Sequence, residues 1–333
     1  MAHPDNGHRD RFIAHSARMR HARDTVPTWH SPDVHRRIVV YIQCSGRRTE
    51  VAIYCECRAF CFLRTVGTSR EKERLKAMPG PTPLPSYKSP PVIEFVAGVV
   101  FKVLQDWQTR YYGQLWAEIS GEFPKTEDHP PLLDPGGIEF EVMKTPPLRR
   151  VFFVSQTENY VIQVQPNRFH YNWRRVRDVD VYPRFEQVFT RFQKSWETFL
   201  EFIRRRGLPD VVPQRYELTY VNHIPISGED FASSLEEYVK MFNWGSVNAE
   251  FLPKPKSLSW KCGFETSPKG SLVANLAHGK LAAGKDVLVL NLTASGPPDS
   301  PLNAWFQTAR EWIVRGFTDL TTEDAHKKWG RER

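Results

Sequence analysis

The sequence predicts an α+β protein in which helices cover one face of an antiparallel sheet. The first observation is the order of the elements, because several strand-like runs follow one another between the helical ones. The second is a pair of long helical patterns, near 185–206 and 300–320, whose apolar residues recur at steps of three or four. The third is the stretch 160–174, which alternates between apolar and polar residues as a half-buried hairpin does.

The first half of this predicted architecture covers 92–207. An apolar run at 92–104 predicts a strand, and 107–120 predicts a helix. Further strands are predicted at 137–144 and 149–156. The long helix that follows ends in three arginines and a glycine, which is typical of a helix C-terminus. We therefore attribute these arginines to the helix dipole and to solvent rather than to phosphate binding.

The second half covers 208–333 and repeats the pattern of strand, helix, strands and long helix. Its predicted elements are strands at 214–226, 256–266, 271–281 and 286–294, with helices at 227–242 and 300–320. The halves share no obvious sequence identity, so the pseudo-repeat is one of pattern only. Two such halves could share one curved sheet, as in TATA-box-binding-protein-like folds, but this analogy implies no function.

Residues 1–77 differ in composition from the rest of the chain. The whole chain has a net charge of +8, and nearly all of this excess lies in the first 77 residues. Their arginine-, histidine- and cysteine-rich sequence has little periodicity apart from a hairpin pattern at 36–63. We interpret the segment as a misassigned start, with translation beginning at Met78, or alternatively as a basic arm. A proline-rich linker, 78–91, leads into the first half.

Several classes of protein and site are disfavoured by composition. No apolar run reaches the ~18 residues of a membrane span, and no apolar segment resembling a signal peptide follows the N-terminus. The expected location is therefore the cytoplasm. The spacing of Cys44, Cys55, Cys57 and Cys61 does not match paired zinc-ligand motifs. No metal or cofactor is predicted, and the oligomeric state is left open.

The alternation of apolar and polar residues at 160–174 indicates the register of the predicted hairpin. If paired positions centre on Pro166 and Asn167, then Phe169, Tyr171 and Trp173 share one face with apolar partners on the first strand. A three-residue loop would mix the two faces, so an even loop is favoured. Because proline suits a two-residue primed turn poorly, we expect a four-residue loop.

The other face of this hairpin is the candidate binding surface. Its side chains are amides, arginines and a histidine, which donate and accept fixed hydrogen bonds, whereas solvated sheet faces usually carry Lys, Glu and Thr. An ordinary wet face is the alternative interpretation. Arg184, at the start of the long helix, is expected to neighbour this surface. The predicted binding residues are Gln163, Gln165, Arg168, His170, Asn172, Arg174 and Arg184.

The strings "IQVQPNRFHYNWR", "YPRFE" and "ELTYVNHI", with the C-terminal Trp-Gly-Arg, resemble the signature of a sporadically distributed, uncharacterised bacterial protein family. The resemblance covers roughly 85–333 and leaves the first 77 residues unmatched, which favours the start at Met78. It implies no activity, and a sporadic distribution suggests genes linked to defence or to mobile elements.

No catalytic motif, such as GxSxG, a phosphate-binding glycine loop or HExxH, occurs in the sequence. Secondary candidate site residues are Glu217, Asn222 and His223, and Glu217 with His223 could act as acid and base on one strand face. We predict a non-catalytic recognition module that binds a partner protein or nucleic acid. The alternatives are a metal-dependent hydrolase or nuclease, with Glu217, Glu265 and Asp286 as ligands, and a structural subunit of a complex.

Overall fold

The fold is described from a computed structural model. The structure describes residues 83–132, 148–226, 231–247, 250–267, 269–281 and 284–333, and the two strands of an N-terminal hairpin. The chain divides into two compact units, 1–80 and 81–333.

In the first unit, strands β1 (Ile38–Cys44) and β2 (Arg47–Ile53) pair antiparallel, with Val40 opposite Val51. They lie within the predicted hairpin pattern. The rest of 1–77, and with it the choice between a misassigned start and a basic arm, lies outside the described residues. The strand predicted at 137–144 also lies outside them.

The second unit is built on an open antiparallel sheet of nine described strands. These are β3 (Val92–Phe101), β4 (Lys125–His129), β5 (Arg150–Val154), β6 (Tyr160–Gln165), β7 (Arg168–Arg174), β8 (Pro213–Pro225), β9 (Ser259–Thr266), β10 (Gly270–Lys280) and β11 (Asp286–Gly296). Their order is β4-β5-β6-β7-β3-β8-β11-β10-β9, so β3 and β8 form the central pair. The predicted α+β class with an antiparallel sheet is confirmed.

Five α-helices and one 3-10 turn accompany this sheet in the described part of the chain. They are α1 (Thr109–Ile119), α2 (Phe185–Arg205), α3 (Phe231–Tyr238), the turn Trp244–Ser246, α4 (Leu302–Leu320) and α5 (Glu323–Lys328). The helix α2 packs on β7, where the rings of Phe169 and Phe199 are 5.1 Å apart. The helix α4 packs on β8, where Tyr216 and Phe306 are 5.8 Å apart.

The core lies between these two helices and the apolar face of the sheet. The α2 positions that recur at steps of three and four are buried, from Phe185 to Ile203, because they form one stripe of an amphipathic helix. Alternate residues of the strands meet them, including Phe95, Tyr171 and Leu218, none of which is measurably exposed. The opposite face of the sheet therefore carries the intervening, mostly polar residues.

The predicted register of the β6–β7 hairpin is confirmed, since Val164 pairs with Phe169 and Tyr160 with Trp173. The predicted four-residue loop is wrong, because Gln165 and Arg168 are themselves paired and only Pro166 and Asn167 lie between the strands. Neither loop residue has a positive φ, so the turn is not of the primed type that proline fits poorly. The neighbouring strand end stabilises it, since Phe101 N donates to Asn167 O at 2.9 Å.

The C-terminal residues return to the segment that precedes β3. Lys88 N donates to Gly330 O and Ser89 N donates to Trp329 O, both at 3.0 Å, and Glu332 N donates to Ser86 O at 2.9 Å. Trp329 is buried against this segment and against α3. The two ends of the second unit therefore lie side by side, next to the helix α4.

Candidate functional site: the polar face of the sheet

The polar face carries two hydrogen-bonded clusters on neighbouring strands. The first runs across β5, β6, β7 and β3. Arg150 Nη1 donates to Gln163 Oε1 at 3.0 Å, and Gln163 Nε2 donates to Asn172 Oδ1 at 2.8 Å. Asn172 Nδ2 then donates to Glu94 Oε1 at 2.6 Å. Each amide thus accepts on one side and donates on the other, so both orientations are determined by a guanidinium at one end and a carboxylate at the other.

The second cluster surrounds the carboxylate of Glu217 on β8. Arg215 Nε donates to Glu217 Oε1 at 2.8 Å, and Arg168 Nη1 lies 3.5 Å from Glu217 Oε2. His170 Nε2 is 3.4 Å from the same oxygen, an ion-pair distance without good hydrogen-bond geometry. Three groups that can carry positive charge therefore face one carboxylate.

A glycine makes the approach of His170 to Glu217 geometrically feasible. Gly98 of β3 pairs with His170 on one side and with Glu217 on the other, so it lies between them. The imidazole occupies the space above Gly98, because a Cβ there would lie 2.2 Å from His170 Cδ2. Only glycine leaves room for a ring to cross a central strand in this way.

The pKa values of the carboxylates in the two clusters, Glu217 and Glu94, are shifted in opposite directions. Burial is the largest influence on the pKa of Glu217 and raises it, but the contacts with His170 and Arg215 outweigh this and lower the pKa to about 2. The pKa of Glu94 is raised by burial, and the hydrogen bond from Asn172 offsets this only in part. Burial and the neighbouring Arg168 also lower the pKa of Arg150.

Gln165 makes a different contact, with the backbone of Leu132, three residues after the end of β4. Its Oε1 accepts from Leu132 N at 3.0 Å and its Nε2 donates to Leu132 O at 3.1 Å. The side-chain amide therefore pairs with both backbone groups of one residue, as a neighbouring strand would. Asn167 Oδ1 accepts a further bond from Gln165 Nε2 at 2.6 Å.

The structure brings most of the predicted binding residues together, but as the floor of the site rather than as a solvated surface. Five of them are buried, namely Gln163, Gln165, Arg168, His170 and Asn172. Arg174 is partly exposed at the margin, where its Nε donates to Glu158 O at 2.9 Å. The sequence could not show this burial because it depends on segments that are distant along the chain.

Arg184 lies elsewhere, so the expectation that it neighbours the polar face is wrong. It donates to the carbonyl oxygens of Tyr87 and Lys88 at 2.9 and 3.1 Å, on the helix-covered side of the sheet. The reason is that the chain passes to the other face of the sheet as α2 begins.

The secondary candidates are also separated. Asn222 is buried on the helix-covered side and donates to Leu290 O at 3.0 Å. His223 shares a face with Glu217, but six residues of extended strand place them roughly 20 Å apart. The suggested acid and base on β8 are therefore not a pair, and the histidine beside Glu217 is His170.

Sequence reasoning missed Arg150, Arg215, Gly98 and Glu94 as members of this site. Alternation along β3 contained a signal, because Glu94 and Gly98 share a face that is otherwise filled by valines. The residues that face Glu94 and Gly98 on the neighbouring strands could not be known without the strand order.

The suggested metal ligands do not converge. Glu217 and Glu265 occupy one cross-strand row, but Ser295 and Ser271 lie between them, which separates them by roughly 14 Å. Among the described residues, no group of three or more His, Cys, Asp or Glu side chains could hold a metal ion.

No protein-family model matches the chain, and no curated protein matches it either. No helix in the described part of the chain is long and apolar enough to cross a membrane.

Proposed function

We propose that the protein is a non-catalytic recognition module that binds an extended segment of a partner protein across the polar face. The observation that carries this proposal is the pairing of Gln165 with both backbone groups of Leu132. One side chain of the face thus already bonds the backbone of a residue of its own chain, and backbone bonds of this kind recognise an extended peptide independently of its sequence.

A partner protein is favoured over nucleic acid by the charges on the face. Each cluster contains a carboxylate, Glu217 beside Arg168 and Arg215, and Glu94 at the end of the hydrogen-bonded chain from Arg150, so the face presents both signs of charge rather than the uniformly positive surface that phosphates favour. Beyond the first 77 residues, the numbers of basic and acidic residues are nearly equal. A mixed, internally paired surface suits the polar groups of a protein better than a polyanion.

The buried and the partly exposed residues have different roles in this proposal. The buried amides and Arg168 hold the face in one arrangement. The partly exposed Arg150, Arg174, Arg215 and Thr219 contact the partner. Preorganisation of this kind lowers the entropy lost on binding.

The catalytic alternative and the structural-subunit alternative have no observation that favours them. The carboxylates that a metal-dependent hydrolase would need are distributed along and across the sheet, and Glu94 and Glu217 have separate partners.

Site-specific photocrosslinking of the full-length chain in its host tests the proposal. A benzophenone side chain would replace Thr219 on the polar face, and the control would replace Thr190 on the outer side of α2. We expect a protein adduct from position 219 that persists after nuclease treatment and that is absent from position 190. Nuclease-sensitive adducts, with retention that falls steeply as salt increases, would assign the face to nucleic acid instead. Equal adducts at both positions would contradict any specific role for the face.

We also propose that the sheet is a pseudo-repeat of TATA-box-binding-protein-like topology. In support, the first strand of each half pairs with the last one, β3 with β7 and β8 with β11, and each half closes with a long helix. The signature strings support membership of the sporadic bacterial family, with a link to defence or mobile elements. A cytoplasmic location is the matching proposal, and the unpaired thiol of Cys262 is compatible with it.

A further inference from the structure

A cavity of about 310 Å³ lies on the helix-covered side of the sheet. Tyr220 of β8 and Leu292 of β11 form its floor, and the first residues of α2 and the middle of α4 form its walls. It shares no residue with the two polar clusters. Its volume is at the lower end of the range for small-molecule sites in proteins.

Two tyrosine hydroxyls lie at this cavity, and only one of their two protons has a hydrogen-bond acceptor among the described residues. Tyr182 and Tyr220 are each 6% exposed, and the Tyr182 hydroxyl donates to the Tyr220 hydroxyl at 3.2 Å. Two hydroxyls carry two protons, and this bond uses one of them. The described residues supply no acceptor for the other, so this proton is available to an oxygen that enters the cavity.

The charged groups nearby favour an anionic acceptor. The Arg310 guanidinium lies over the ring of Phe185, 4.7 Å from its centroid, and Nη1 donates to Glu186 Oε1 at 2.5 Å. It is close enough to both tyrosines to lower the pKa of each, although burial dominates and raises the pKa of Tyr220 to about 12. Both hydroxyls therefore remain protonated donors at neutral pH.

Arg184 adds a second cation at the rim of the cavity. It has a φ of 75°, an unfavourable conformation for a residue with a side chain, and it precedes the first turn of α2, which has no side-chain cap. Arg333 lines the cavity as well, but so do Glu186 and Glu332, so the side chains give a surplus of no more than one positive charge. This balance suits a monoanion better than a phosphate.

The rest of the lining is apolar. Val92, Ile313, Val314 and Phe317 border the cavity beside Leu292. An aliphatic or aromatic group would gain roughly 25 cal/mol for each Å² of its apolar surface removed from water here.

We propose that this cavity binds a small organic carboxylate with an apolar body. The carboxylate accepts the free proton of the tyrosine pair and lies beside Arg310, and the body lies along Leu292, Ile313 and Phe317. The site is separate from the polar face, so it does not depend on the function proposed above.

Calorimetric titration of the full-length chain with three probes tests this site. The probes are 4-phenylbutyrate, hexanoate and benzoate, and the neutral control is 4-phenylbutyramide. We expect saturable binding of at least one carboxylate and clearly weaker binding of the amide. Absence of saturable binding for all three acids, or equal affinity for 4-phenylbutyrate and its amide, would overturn the proposal.

Matched variants locate the binding. Tyr220→Phe removes one hydroxyl and should weaken carboxylate binding about tenfold, because a hydrogen bond to a charged group is lost. Tyr216→Phe is the control, since Tyr216 lies on the same strand and face but outside the cavity. Val314→Phe should block binding by filling the space. If Val314→Phe does not fold, the comparison of the two tyrosine variants decides alone, and equal affinities in those two would refute the assignment.

Discussion

Replacing Gly98 with alanine is expected to destabilise the second unit, although alanine is normally the better residue within a strand. The added methyl carbon would lie 2.2 Å from His170 Cδ2 and 2.7 Å from His170 Nε2. Both distances are far inside van der Waals contact, and the ring is buried between neighbouring strands. Either the imidazole or the central strand must move.

The magnitude follows from two opposing contributions. Gly→Ala in a strand without a clash gains about 0.5–1 kcal/mol from lower entropy of the unfolded chain. Overpacking of a filled site costs about 1–3 kcal/mol. Displacement of the ring also lengthens its 3.4 Å approach to Glu217, which weakens that contact. We therefore expect a net loss of about 1–2 kcal/mol in the free energy of unfolding.

Equilibrium urea unfolding, followed by tryptophan fluorescence, measures this loss. The control is Gly113→Ala in α1, where nothing lies within 4 Å of the added carbon, and this variant should be at least as stable as the native chain. In a His170→Ala background, Gly98→Ala should cost nothing or should stabilise, because the clashing ring is absent. A Gly98→Ala effect within about 0.5 kcal/mol of zero in both backgrounds would refute the reasoning.

Three further predictions use the same unfolding measurement. Because the folded-state pKa of Glu217 is lowered to about 2 from 4.5, its ionisation stabilises the fold above pH 4.5, and this contribution is lost as the pH falls towards 2. Glu217→Gln should therefore destabilise by about 2–3 kcal/mol at pH 7 and by less than half as much at pH 3, and an equal loss at both values would contradict this. The pKa of Glu94 is raised, so its ionisation opposes folding as the pH rises, and Glu94→Gln should be no less stable than the native chain at pH 7. At Arg184, where φ is 75°, Arg184→Gly should be more stable than Arg184→Ala by about 1 kcal/mol, and the reverse order would exclude backbone strain at this position.

Local sequence patterns predicted the register of the β6–β7 hairpin and the buried face of α2, because residues close together in the chain determine both. The alternation from Tyr160 to Trp173 specified the hairpin register, because a shift of one residue would have mixed the two faces. The apolar stripe of α2 was equally clear, since a helix buries every third or fourth residue. In both cases the partner groups lie within a few residues along the chain.

Features that depend on distant partners could not be predicted. The strand β4, Lys125–His129, was missed because an edge strand with charged residues lacks apolar alternation. The burial of the polar face and the role of Gly98 depend on strand order, which no local pattern encodes. For the same reason, Arg184 and Asn222 were grouped with residues from which the sheet separates them.

The central position of β3 and β8 has a consequence for how the chain folds. The strand β3 pairs with β7 and with β8, so its hydrogen bonds close loops of about 70 to 130 residues. Contacts of such separation form slowly, and the middle of the sheet cannot be completed until most of the second unit has been synthesised. A fragment that ends between α2 and β8 would expose one side of a ten-residue strand. Such an edge favours aggregation, so the two halves are expected to fold as one cooperative unit rather than as separable domains.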